Sequence, residues 1–202
     1  MRTEIWFKMA FVIAFLYAVT VAALTARRAT RQHGEPLNQL GYEVRGLVAV
    51  RAGLGLVFYG MLGVWLFRAE SPHWARIPEP PLLRWGAVGL LVPALAFFTW
   101  SFRSLGSNYR GGVGLYAGHE LVTRGAYRWV RHPIYVAFVA VMFLVLLVSA
   151  NWVLGMAGLT LVANIAAARI PTEERELRER FDTAWEKYSA RTGLLLPRAG
   201  RG

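Results

Sequence analysis

The chain of 202 residues is 55% hydrophobic and only 17% charged, whereas an average soluble domain is about one quarter charged. That balance excludes an ordinary soluble domain and a disordered chain, and 20 glycines without a period of three exclude a collagen-like repeat. The absence of cysteine excludes a disulfide framework, a thiolate nucleophile, a cysteine-based zinc site and a palmitoylation acceptor, while the net charge of +11 raises the question of nucleic acid.

A transmembrane helix needs roughly 17 to 25 mostly apolar residues, and the first block, Ile5 to Thr25, meets that length. A cleaved leader is the rival reading, because Arg2 and Lys8 precede a run ending in small residues. The length of the run and the heavier charge after it favour a span. Segment 26–45 carries Arg27, Arg28, Arg31 and Arg45 with Gly34, Pro36 and Asn38, and reads as a polar loop. Gly46 to Phe67 and Leu82 to Phe102 supply the second and third spans. Lys8 and Arg51 lie inside apolar blocks and are expected to snorkel. Ala49 and Gly53 are spaced for close helix contact.

Ile134 to Ile170 is too long for one helix. Ser149-Ala150-Asn151 interrupts it, with Trp152 as an interfacial anchor, which predicts a tight hairpin of spans 134–150 and 152–170. The fold class is therefore an all-α integral membrane protein, one domain over 1–202 with about five spans. Basic residues gather in 26–45, in 103–133 and in the tail from Arg169, against Arg2, Arg68 and Arg76 on the opposite side. The positive-inside rule then predicts an N-terminus outside and a C-terminus in the cytoplasm. Placed between spans, the basic excess no longer calls for nucleic acid.

Connection 103–133 is long for a mere connector. Residues 112–117, GVGLYA, match a dinucleotide fingerprint by letters, but no strand precedes them. His119 and His132 bracket the connection, and Arg131-His132-Pro133-Ile134-Tyr135 stands where it enters the fourth span, at a helix start that favours anions. An interfacial anchor is the plainer reading of Arg131 and Tyr135. After Pro171 the composition turns to Glu and Arg, with Leu177, Phe181, Trp185 and Tyr188 forming one apolar stripe on a helix over 172–191. Its glutamates fit packing on the connection better than lying on anionic lipid. Arg169 and Glu173, four apart, share a face if Pro171 leaves the helix continuous, and Pro171 is expected to kink it.

Together these motifs closely resemble the isoprenylcysteine carboxyl methyltransferase and phospholipid methyltransferase superfamily. The resemblance runs from about Leu105 to Pro197. It comprises His119-Glu120-Leu121-Val122-Thr123, Gly125-Ala126-Tyr127-Arg128, Arg131 to Tyr135, a helical hairpin, and Arg169 followed by Glu173-Glu174, Leu177, Phe181, Trp185 and Tyr188. Asp182 stands where the family usually has glycine, and Trp185 where it usually has tyrosine. The Trp185 change echoes the related membrane sterol reductases, which use NADPH.

The resemblance implies S-adenosyl-L-methionine as cofactor, held between the cytoplasmic connection and the Glu173-Glu174 helix. The cofactor-contacting positions it implies are His119, Glu120, Leu121, Val122, Tyr127, His132, Pro133, Ile134, Tyr135 and Glu173, with Gly112 a weaker match. Arg169 matches the substrate-side arginine, and Arg169, Glu173 and His132 are the implied catalytic residues. No metal is implied. The implied partners are membrane lipid and a lipophilic or prenylated acceptor, with isoprenylcysteine-like carboxylate methylation first and lipid or phenol methylation close behind. A carboxylate acceptor needs only a cation to hold it, whereas a phenol needs its proton removed.

Overall fold

The computed structural model describes residues 2–33, 45–68, 71–109 and 118–198. Among these it is all-α and contains no strand: α1 (Arg2–His33), α2 (Arg45–Phe67), α3 (Pro81–Leu105), α4 (Pro133–Ser149) and α5 (Trp152–Arg191), with 3-10 turns at His73–Ala75, Gly106–Asn108 and Gly125–Arg128. Helices α1, α2, α3 and α5 are long and apolar enough to cross a membrane, and α4 is a shorter apolar helix of 17 residues. A helix of that length rises about 26 Å, slightly less than a hydrocarbon layer of roughly 30 Å.

Local chemistry sets the helix ends. Pro81 and Pro133 open α3 and α4, where a missing N–H costs nothing. Ala150 closes α4 with φ 47°, and Asn151 caps α5 by accepting the Leu154 N–H at 3.0 Å. The two helices then meet closely: a Cβ on Gly155 would lie 2.4 Å from the Leu146 Cβ. At Gly158 it would lie 2.8 Å from the Met142 sulfur.

Helix α5 corrects one expectation. The helix from Trp152 runs on through Pro171, and the break between two helical stretches falls instead at Asp182, with φ 39° and ψ −115°. The bend therefore falls beyond Glu173, leaving Arg169 and Glu173 on one continuous stretch. Ala49 and Gly53 also differ from expectation: both are exposed, and a Cβ on Gly53 would meet nothing within 4 Å. Arg51 does not simply snorkel, since its Nε donates to Asn164 Oδ1 across α2 and α5 at 3.4 Å.

One core cluster joins Phe7, Phe11, Phe58, Leu62, Trp65, Leu91, Leu144 and Leu154. A second, of Phe98, Phe102, Ile134 and Ala137, lies beneath the polar end of the bundle. At the opposite end the buried Arg84 ties three helices. It pairs with Glu4 of α1, donates twice to the Val148 carbonyl ending α4 at 2.8 and 3.1 Å, and stands 3.9 Å over the Phe7 ring. An arginine can do this because its fork offers five donors, while the carboxylate and helix-end carbonyl compensate its burial.

Candidate active site

The end of α3 is the floor on which the site is built. Gly125 has φ 62° and lies so close to α3 that a Cβ would stand 2.3 Å from Ser104 Oγ, so only glycine fits. The Ser104 hydroxyl accepts the Ala126 N–H at 3.1 Å, and this docks the turn that buries Tyr127. Beyond it the chain runs beside the C-terminal tail: the Arg131 N–H donates to the Gly193 carbonyl at 2.8 Å and the His132 N–H to the Leu194 carbonyl at 3.1 Å.

Four side chains then lock this strip onto α5. Arg131 donates to both Glu174 oxygens at 3.0 Å and, through Nη1, to the carbonyls of Ser189 at 3.2 Å and Thr192 at 2.6 Å. His132 Nε2 lies 2.8 Å from Glu174 Oε1, and its Nδ1 lies 3.4 Å from Glu173 Oε2. The Tyr135 hydroxyl donates to Glu173 Oε1 at 2.9 Å. Tyr188 completes the set from below, donating to the Tyr127 carbonyl at 2.8 Å beside the buried Trp185.

The electrostatics follow from that arrangement. Burial alone would lower the His132 pKa, but hydrogen bonds to Glu173 and Glu174 outweigh it and hold the imidazole above its ordinary value. Tyr127 is pushed well above the ordinary phenol value, first by burial and then by the Glu173 charge. Tyr109 is also raised by burial, with Arg169 opposing. These phenols are neutral hydrogen-bonding groups at neutral pH.

Above the lock lies a cavity of about 700 Å³. Its polar wall includes Asn108, Tyr109, His119, Tyr127, Arg131, His132, Tyr135, Arg169, Glu173 and Glu176. Its apolar wall runs down α4 from Ile134 through Phe138, Val141 and Val145 to Val148, facing Phe11, Phe58 and Leu91. The fourteen helical rises from Ile134 to Val148 correspond to about 21 Å. A cation beside phenols and carboxylates at one end, with a greasy channel at the other, suits a molecule carrying a polar head and an apolar tail.

The structure brings His119, Tyr127, His132, Ile134, Tyr135, Arg169 and Glu173 into one cavity wall. Glu120, Leu121, Val122 and Pro133 are not among its lining residues: the Glu120 N–H donates to Asn108 Oδ1 at 2.9 Å, and Pro133 is fully buried at the start of α4. Gly112 and the 112–117 fingerprint lie outside the described residues, as do Gly34, Pro36 and Asn38. Sequence reasoning missed Asn108 and Tyr109, whose only signal was their place just after the glycine ending α3. It also missed the division between Glu173, which faces the cavity, and Glu174, which binds the strip. No group of three or more potential metal ligands occurs among the described residues.

Residues 87–179 match the model of the isoprenylcysteine carboxyl methyltransferase (ICMT) family. The matched stretch contains the α3 floor, the α4 wall and the polar part of the cavity from Asn108 to Leu177, but ends before Trp185 and Tyr188. No curated protein matches the chain.

Proposed function

We propose, from the premise that residues 87–179 match the isoprenylcysteine carboxyl methyltransferase family of membrane methyltransferases, that the chain moves a methyl group from S-adenosyl-L-methionine to the polar end of a lipophilic acceptor. An isoprenylcysteine-like carboxylate is the first choice of acceptor, with a lipid or phenol close behind. The observation that carries this reading is the single cavity joining Arg169 and Glu173 to an apolar channel along α4.

The residues present fit the donor. Glu173 is one of two neighbouring carboxylates but is the one on the cavity wall, and Tyr109, Tyr127 and Tyr135 add aromatic faces and hydroxyls around it. A cationic sulfonium is attracted by both kinds of group. His132 and Tyr135 hold the two Glu173 oxygens, so this carboxylate is pre-oriented toward the cofactor's amino or hydroxyl donors. When bound, the cofactor supplies an electrophilic methyl group open to in-line displacement.

The protein's own part is positioning and exclusion of water. Arg169 supplies a cation for an acceptor carboxylate, which is already a nucleophile at neutral pH and needs no base. For a phenol, Glu173 or the neutral form of His132 would have to take the proton. The excess of basic residues in the loops supports an orientation with the polar end of the cavity toward the cytoplasm and the N-terminus outside. Calorimetric binding of S-adenosylhomocysteine to detergent-purified protein, beside NADPH and repeated on Glu173→Ala, tests the reading. Binding of the first ligand alone, lost in the variant, is the expected result. Binding of NADPH alone would replace the methyltransferase reading with that of a sterol-type reductase.

A further inference from the structure

A second pocket, of about 500 Å³, opens between the ends of α1 and α3 and is lined by Thr25, Arg28, Arg31, Gln32, Phe102, Arg103, Gly106 and Ser107. Thr25, Arg28, Arg31 and Gln32 recur at helical spacing and so present one face of α1. Arg103 comes from the last turn of α3, with Ser107 in the turn that follows. The wall thus holds three guanidiniums, two hydroxyls and an amide over the fully buried ring of Phe102. Among the described residues it holds no carboxylate, and no carboxylate pairs with Arg28, Arg31 or Arg103.

Cations at helix C-termini complement the helix dipole, and arginines gather at one membrane face in any protein that obeys the positive-inside rule. Neither effect requires two helices to aim three arginines into one concavity lined by further polar groups. Arginine forks match phosphate oxygens in pairs, and hydroxyls and amides satisfy the rest. We propose that this pocket binds a phosphate-bearing anion, either the headgroup of an anionic phospholipid or a free phosphate. The site is separate from the reaction cavity and does not depend on the methyltransferase reading.

The site borders the reaction cavity through the turn Gly106–Asn108. Gly106 and Ser107 line the anion pocket, Asn108 and Tyr109 line the cavity, and the Tyr109 ring packs on Phe102 with centroids 4.7 Å apart. An anion bridging Arg31 and Arg103 would brace α1 against α3 and steady that turn.

Calorimetric titration of detergent-purified protein with short-chain phosphatidylglycerol tests the site, run beside phosphatidylcholine of the same chain length and beside inorganic phosphate. Phosphatidylglycerol is expected to bind more tightly than phosphatidylcholine, with about a fivefold loss for each of Arg28→Gln, Arg31→Gln and Arg103→Gln. The exposed control pair Arg178→Gln and Lys187→Gln should leave that affinity unchanged. Arginine-dependent binding of inorganic phosphate at comparable strength would identify a free phosphate as the ligand, while its absence would identify the lipid. Affinities unmoved by all three substitutions, or equal for the two lipids without arginine-dependent binding of inorganic phosphate, would overturn the proposal. The single variants are expected to fold, since all three side chains are exposed.

Discussion

His132 stands between two carboxylates, with Nε2 2.8 Å from Glu174 and Nδ1 3.4 Å from Glu173. An imidazole can donate from both nitrogens only when protonated. The two carboxylates therefore favour the imidazolium, which raises its pKa and joins α5 to the start of α4.

That state makes stability depend on pH with a definite sign. The folded pKa of His132 lies above the ordinary 6.5, so its stabilisation is fully present below about pH 6.5 and is lost as pH rises through the folded value. Melting temperature of the ligand-free protein in detergent should fall across that window. In His132→Gln the fall should largely vanish, and an unchanged profile would show that another group titrates.

The neighbouring glutamates should separate in their effects. Glu174→Gln removes the charge that both Arg131 and His132 grip, and should cost about 2 kcal/mol after allowance for partial exposure. Glu173→Gln disturbs Tyr135 and one side of His132, so it should cost less stability while abolishing S-adenosylhomocysteine binding. Thermal unfolding and calorimetry on the same preparations compare them. Equal losses of stability would show that the two carboxylates do not divide the work in this way.

The lesson for reading such a sequence lies in which signals were periodic. Apolar runs gave the spans, and Arg131 to Tyr135 with Arg169 and Glu173 gave the heart of the cavity, because each motif is local and chemically distinctive. Arg84 escaped notice as one charge in an apolar block, since nothing near it in sequence shows that Glu4 and the Val148 carbonyl await it. Asn108 and Tyr109 escaped because the groups they share the cavity with, Arg169 and Glu173, are distant in the chain. The apolar wall from Phe11 and Phe58 is no more legible, because any lipid-facing helix has the same composition.

Glycine spacing shows the limit most sharply. Gly53 has the spacing of a packed interface yet faces open space, whereas Gly155 has Leu146 at 2.4 Å from the place a Cβ would occupy. Gly155→Ala should force the α4–α5 hairpin apart and cost about 1 to 3 kcal/mol. Gly53→Ala should be neutral or slightly stabilising, since alanine is the better helix former. Unfolding midpoints of the two variants decide the matter, and a destabilised Gly53→Ala would reveal a contact from outside the described chain.

Asp182 adopts φ 39° and ψ −115°, a region that suits glycine and strains a residue with a Cβ. The bend it makes brings Trp185 and Tyr188 under Tyr127 and Arg131, so the strain is held by packing beyond it. Asp182→Gly should keep the bend and raise stability by about 1 kcal/mol, while Asp182→Ala should not. Denaturant midpoints test this directly. A glycine variant less stable than wild type would mean that the aspartate side chain holds the bend itself.

Arg131 joins the strip, α5 and the tail, because one guanidinium reaches both Glu174 oxygens and the carbonyls of Ser189 and Thr192. Lysine keeps the charge but offers a single ammonium, which cannot fork across a carboxylate and serve two carbonyls as well. Arg131→Lys should therefore lose about 2 kcal/mol. It should also speed hydrogen exchange at the Arg131 and His132 amides, which donate to Gly193 and Leu194. If only charge mattered, lysine would preserve both stability and amide protection. Loss of protection at those two amides, with the core helices still protected, is the pattern expected from a fork that holds the tail against the cavity.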